Sequence, residues 1–178
     1  NDDSEVYLEI ATTRPETLLG DSAVAVNPND KRYKDFIGKE IIVPIIGRKV
    51  PIIGDEYVDM EFGTGCLKVT PAHDFNDYEL AKKHDLEEIN IFDLSARIKC
   101  ELKEFNNLDR FAARKKIISE LKETGHLIKD EEHKLIIPRG DRSHSIIEPL
   151  MTDQWYVRVK PLAEEAINCV KEEKIKFV

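Results

Sequence analysis

Gly63-Thr64-Gly65-Cys66-Leu67-Lys68-Val69-Thr70-Pro71-Ala72-His73-Asp74-Phe75-Asn76-Asp77 holds a glycine turn, a short strand and an acidic helix start in one continuous run. Gly63 and Gly65 permit backbone angles and close approaches that a side chain forbids, so a ligand or another strand can come near. Cys66, Lys68 and Thr70 then alternate with Leu67 and Val69, the period of a half-buried strand. The Leu67/Val69 face is expected to meet the core, and the other face to stay polar. Pro71 cannot donate to a ladder and ends the strand. Asp74 opens a helix in which Phe75, Tyr78 and Ala81 recur at helical spacing. The polar strand face thereby meets a helix N-terminus with its unpaired N–H groups. Asp74 as N-cap and Asp77 in the first turn also have a purely structural reading, because carboxylates favour both positions without any ligand.

Outward from this run, short strand patterns dominate: 6–11, 23–26, 40–45, 49–53, 66–70 and 89–92, then 126–129, 135–137, 146–148 and 155–159. Gly47, Pro51 and Gly54 make 41–53 a hairpin near a sheet edge. Asp109 can cap a helix whose stripe is Phe111, Ile117, Ile118 and Leu121 and which stops at Gly125. Its Arg110, Arg114, Lys115 and Lys116 read as a solvated face, with phosphate contact as the alternative. A last helix opens near Pro161 with Leu162, Ala166 and Val170 on one face. The expected fold is α+β, a strand-rich, barrel-like core with peripheral helices.

With 178 residues, 41% hydrophobic and 35% charged, the chain suits one domain, 1–178. It begins without Met and enters a strand pattern at once, so it reads as a piece excised from a larger protein, with 158–178 starting the return to it. A formal charge of −8 excludes a general polyanion binder, and any nucleic-acid contact must be local. Cys66, Cys100 and Cys169 form no closely spaced pair, which suggests neither a disulfide framework nor a metal site and fits a reducing cytoplasm. No run approaches membrane-spanning length.

The second chemical segment is Thr12-Thr13-Arg14-Pro15-Glu16-Thr17-Leu18-Leu19-Gly20. Pro15 fits a first helical position and Gly20 the end, while Arg14, preceding proline, is held extended. Hydroxyls, a guanidinium and free N–H groups at a helix start suit an oxygen-rich ligand, although for this segment taken alone a helix cap plus a surface arginine is the favoured reading.

Taken together, T-T-R-P-E-T at 12–17 and G-T-G-C-L-K-V-T-P-A-H-D-F-N-D at 63–77 resemble the editing domain inserted in class I aminoacyl-tRNA synthetases for valine, isoleucine and leucine. Glu16 at the variable position looks like the valyl type. L-D-R-F-A-A-R-K-K-I at 108–117, P-R-G-D-R at 138–142 and I-E-P-L-M-T-D-Q-W-Y-V at 147–157 are similar to the bacterial valyl enzymes. The signatures of amino-acid activation are absent. The resemblance implies post-transfer editing, hydrolysis of the ester of threonyl-tRNA made on the valine tRNA. Asp77, Lys68 and Thr13 would be catalytic, and Asp77 would hold the substrate ammonium. Thr12, Arg14, Thr70, Asp74, His73 and Phe62 would bind substrate, Asp74 being the first choice for reading the threonine hydroxyl. It implies no metal and no cofactor for the hydrolysis, with ATP and Mg2+ used by the parent enzyme. The implied partners are the 3′ end of an aminoacylated tRNA and the parent's catalytic and anticodon-binding domains. An isoleucyl-type domain that removes valine, and a non-catalytic module that binds the aminoacylated end, are the alternatives.

Overall fold

The computed structural model describes residues 6–176. At its centre is β1, Ala23–Val26, four small or β-branched apolar residues that are all buried. A run with no polar alternation suits a strand covered on both faces. β1 pairs in parallel with β3 (Lys49–Gly54), Val24 opposite Ile52, and antiparallel with β4 (Cys66–Val69), Val24 opposite Lys68. β2 (Glu40–Ile42) adds antiparallel to β3 with Ile41 opposite Val50, completing a four-stranded sheet in the order β2-β3-β1-β4. The hairpin and the α+β class are as expected from the sequence.

Both faces of the sheet are packed. Ala23, Ala25, Val58 and Val69 meet Leu80 of α1 (Phe75–His84), with Leu67 beside them. On the other face Val24, Val26, Ile52 and Cys66 are covered by Leu8, Ile10, Tyr33, Phe36 and Ile41. The expectation of a polar β4 face therefore holds only in part. Cys66 is 7% exposed and belongs to a core layer, because 8–10 cross that face as irregular chain. A third cluster joins Leu19, Ile91, Phe92, Ile98 and Phe105 to Ala113 and Ile117 of α2 (Arg110–Glu123).

Several expected strands do not form. Segment 89–92 contributes one bridge, Phe92 to Ile98, and the later patterns contribute one, Arg139 to Ile146. Segments 6–11 and 155–159 form no ladder. Alternation supplies an apolar side but no partner edge, and a strand needs both. α3 (Lys160–Lys171) is exposed along nearly its whole length, and Trp155 is fully exposed.

α1 is tied at both ends. Asp74 accepts from the Asn76 and Asp77 N–H groups at 2.8 and 3.2 Å, the N-cap expected of it. His84 and Lys83 each lie 2.7 Å from Asp55, just past β3. The basic face of α2 is not simply solvated. Arg114 forms a bidentate pair with Glu16, both contacts 2.7 Å, while Arg110 donates to the Ile146 carbonyl and Lys116 to that of Glu104.

Gly65 has φ of +79°, and a Cβ there would lie 2.5 Å from Nη2 of Arg32. That guanidinium is pinned by Asp30 at 2.6 Å and by the Met60 carbonyl at 2.8 Å, so it cannot yield cheaply. Gly65→Ala is expected to cost about 2 kcal/mol, seen as a fall in Tm of roughly 5 °C. An unchanged melting curve would show that the turn relaxes freely.

Candidate active site

The sheet ladder continues past β4, where the Ser22 N–H donates to the Val69 carbonyl at 2.9 Å. This brings Asp21, the residue after the 3-10 turn Pro15–Gly20, against Thr70 and Lys68. The Thr70 hydroxyl donates to Oδ1 of Asp21 at 2.6 Å. The Lys68 ammonium donates to the same oxygen at 2.9 Å and to Oγ1 of Thr70. Next to them the Thr70 N–H donates to Oδ2 of Asp77 at 2.8 Å. Asp21 and Asp77 are 5% and 8% exposed. Sequence reasoning passed over Asp21. The only local signal was its place between the stop at Gly20 and the apolar run from Ala23; what buries it is contact with Lys68 and Thr70, 47 and 49 residues away in sequence.

The Asp77 carboxyl is pushed up to about 6, chiefly by burial, with Asp74 and Asp21 adding to the shift. The Thr70 N–H and the Lys68 ammonium oppose it. Burial also raises Asp21 against the pull of Lys68. Its Oδ2 committed, Asp77 has an Oδ1 with no protein partner among the described residues. A site that crowds carboxylates around one ammonium is short of positive charge, and an incoming cation relieves it.

Segment 12–14 reaches the same place. Arg14 donates to the His73 carbonyl at 2.8 Å, contacts Glu148 and lies 3.7 Å from Glu16. A Cβ on Gly63 would stand 3.6 Å from that of Ala11, so the two motifs are neighbours in space. Thr12 and Thr13 are exposed, and the Thr12 hydroxyl oxygen accepts the Arg14 N–H at 3.1 Å. Phe62, 80% exposed, stands on the loop just before Gly63. His73 is buried: Nε2 accepts the Ile91 N–H at 3.0 Å, Nδ1 faces the Pro149 carbonyl at 3.4 Å, and Phe92 packs edge-on at 4.7 Å. Burial holds its imidazole down at about 4, so it is neutral and braces the turn. Asp74 is exposed, its Oδ1 spent on the cap. A groove of about 290 Å³ runs beside it, lined by Pro71, Ala72, Phe75, Tyr78 and residues 149–152, without Lys68, Thr70 or Asp77. Burial raises the Cys66 thiol, which suits packing and not nucleophilic attack. Among the described residues no cluster of three or more His, Cys, Asp or Glu could hold a metal.

The two perturbed groups act oppositely on folding. Asp77, at about 6 against an ordinary 3.8, favours folding when protonated, and that advantage is lost as pH rises from about 4 to 6. His73, at about 4 against 6.5, stabilises the fold progressively over about pH 4 to 6.5. Each amounts to roughly 3 kcal/mol, so they nearly cancel. Asp77→Asn is expected to be more stable than wild type by about 1–3 kcal/mol at pH 7 and equal to it near pH 4, by denaturant unfolding. A variant less stable at pH 7 would contradict the buried-carboxylate account.

A family described as leucyl-tRNA synthetase, editing domain, matches residues 31–109. Over 172 residues the chain is 55% identical to a valine-tRNA ligase of Clostridium acetobutylicum, covering 97% of this chain and 20% of that protein. It is also 55% identical over 177 residues to a valine-tRNA ligase of Legionella pneumophila strain Lens, covering 99% and 19%. The chain thus spans about a fifth of the length of these relatives. Its fold resembles part of the solved ternary complex of Agrobacterium radiobacter K84 agnB2 LeuRS with tRNA and LeuAMS: TM-score 0.56, 21% identity, 69% of this chain and 18% of that one. From its two motifs, its sequence over nearly its whole length and its fold, the chain belongs to the editing domains of the class I aminoacyl-tRNA synthetases, of the kind carried by bacterial valine-tRNA ligases.

Proposed function

We propose that this domain hydrolyses the ester of threonyl-tRNA made on the valine tRNA. The observation that carries the reading is Asp77: one oxygen is fixed by the Thr70 N–H, the other has no protein partner among the described residues, and the carboxyl is buried in a cluster short of positive charge. The α-ammonium of an aminoacyl ester is the cation that fits. A pocket shaped for valine rejects threonine by only about 10²-fold, the known figure for valine enzymes, so a second site must remove the product. The ester is already activated, and a positioned water with oxyanion stabilisation suffices without a protein nucleophile.

In this reading Asp77 anchors the ammonium by a charge-assisted contact, and Lys68 and Thr13 act at the ester and its water. Thr12, Arg14 and Thr70 bound the reacting end, and exposed Phe62 offers its ring to the terminal base. Asp74 and His73 shape the pocket, the first by starting α1 and the second by holding the turn. Hydrolysis needs no cofactor, and ATP with Mg2+ belongs to activation elsewhere in the parent. Residues 1–178 form one editing domain, with 158–178 leading toward the parent's catalytic domain, which together with the anticodon-binding domain presents the tRNA. The exposed α3 and Trp155 suit that role. The compartment is the cytoplasm; among the described residues no helix is long and apolar enough to cross a membrane.

The test uses the full-length synthetase with threonyl-tRNA and valyl-tRNA prepared on the valine tRNA. The threonyl ester is expected to be lost much faster than the valyl ester, with kcat/KM rising through the Asp77 pKa near 6 and falling again at about pH 8, where the substrate ammonium loses its proton. Faster loss of the valyl ester would identify an isoleucyl-type domain. Lifetimes equal to those without enzyme would leave only a binding module.

A further inference from the structure

We infer that Asp21 is a positioning residue of this site, holding Lys68 and Thr70 so that one Lys68 N–H is aimed at the substrate. The inference rests on the ester-hydrolysis reading above and adds a residue to it. Hydrogen bookkeeping supports it. Thr70 has one hydroxyl proton and gives it to Asp21, which leaves Oγ1 only lone pairs to offer, one of them taken by Lys68. Lys68 has three N–H donors. Asp21 and Thr70 take two, and the third has no protein partner among the described residues, on a side chain 12% exposed.

Without Asp21 the hydroxyl can rotate and the flexible lysine stem can choose among many rotamers. With it, the donor direction is set before substrate arrives, which is where preorganisation yields its rate advantage. Asp21 is itself held: Arg48 donates to its carbonyl at 3.2 Å and to that of Leu19 at 3.0 Å, locking the chain on either side of Gly20. Stability does not call for a carboxylate here. The surrounding sheet is fully packed by apolar residues, and a buried ion pair commonly does no better than apolar groups of the same volume. A buried charge that stability does not require, bonded to two groups of the proposed site, is best accounted for by what it does to them.

The experiment is a double-mutant cycle in the full-length synthetase, Asp21→Asn with Lys68→Met, measuring single-turnover deacylation of threonyl-tRNA on the valine tRNA. Asp21→Asn is expected to lower kcat on the order of 10- to 100-fold, with KM within about threefold of wild type. The double variant is expected to be no slower than Lys68→Met alone, because Asp21 acts through Lys68. A residue that merely stabilised the fold would give losses that multiply, and that result overturns the inference, as does a kcat within about twofold of wild type for Asp21→Asn. Should Asp21→Asn fail to fold, Asp21→Ser, which leaves room for water beside Lys68, is read in the same way. The wild-type enzyme separates the two levels: rapid loss of the threonyl ester with wild type and equally rapid loss with Asp21→Asn refutes this inference alone, whereas a threonyl ester as long-lived with wild type as without enzyme refutes the ester-hydrolysis reading with it.

Discussion

Under the proposed ester hydrolysis, replacing Asp77 by alanine in the full-length synthetase is expected to slow deacylation of threonyl-tRNA by about 10²- to 10³-fold while leaving valine activation unchanged. The size follows from the geometry. An ammonium gripped by a carboxylate with no other free partner fixes the ester relative to its water, and small misplacements of a reacting centre cost about two orders of magnitude. The alanine also leaves the Thr70 N–H without its acceptor, so the strand end that carries Lys68 and Thr70 loosens. Asp77→Asn keeps an acceptor for that N–H and removes only the charge. It is expected to be nearly as slow as alanine, because attraction for the substrate ammonium is what both have lost. If asparagine restored most of the rate, Asp77 would be a strand-end bracket and not an anchor.

Arg114→Ala is expected to have the largest effect on stability, about 3–5 kcal/mol, with a fall in Tm of roughly 10 °C. Glu16 is 1% exposed, and its two oxygens are each 2.7 Å from the Arg114 guanidinium. Removing the arginine strands a carboxylate in the interior, with Arg14 at 3.7 Å as its remaining neighbour. The Pro15–Gly20 turn loses its polar tie to α2 and keeps only the packing of Leu19 on Ala113 and Ile117. Glu16→Gln with Arg114→Leu should recover much of the loss, since no unpaired charge is then buried. Equal destabilisation of the single and double variants would place the energy in packing instead.

These two residues show what could be read in advance. The local chemistry of 63–77 was legible because each piece is a short-range rule: Pro71 ends a strand, Asp74 caps a helix, and alternation marks Leu67 and Val69 as inward. The hairpin and the capped α2 were legible for the same reason. The expected strands after residue 125 were not, because alternation says which side is apolar and nothing about whether a partner edge exists. Arg110 and Arg114 looked like a solvated face because helical spacing cannot show that Glu16, 98 residues from Arg114 in sequence, is buried beneath it, or that Arg110 meets the Ile146 carbonyl.

By itself the sequence determined the α+β class, the two motifs and the family they resemble, all of them consequences of spacing along the chain. The tertiary structure alone decided which groups those motifs meet. It placed Asp21 on Lys68 and Thr70, turned Cys66 into core, and left one Asp77 oxygen open while raising its carboxyl to about 6. The physical reason is that desolvation and long-range hydrogen bonding depend on the whole packed neighbourhood, and residues distant in sequence supply most of it.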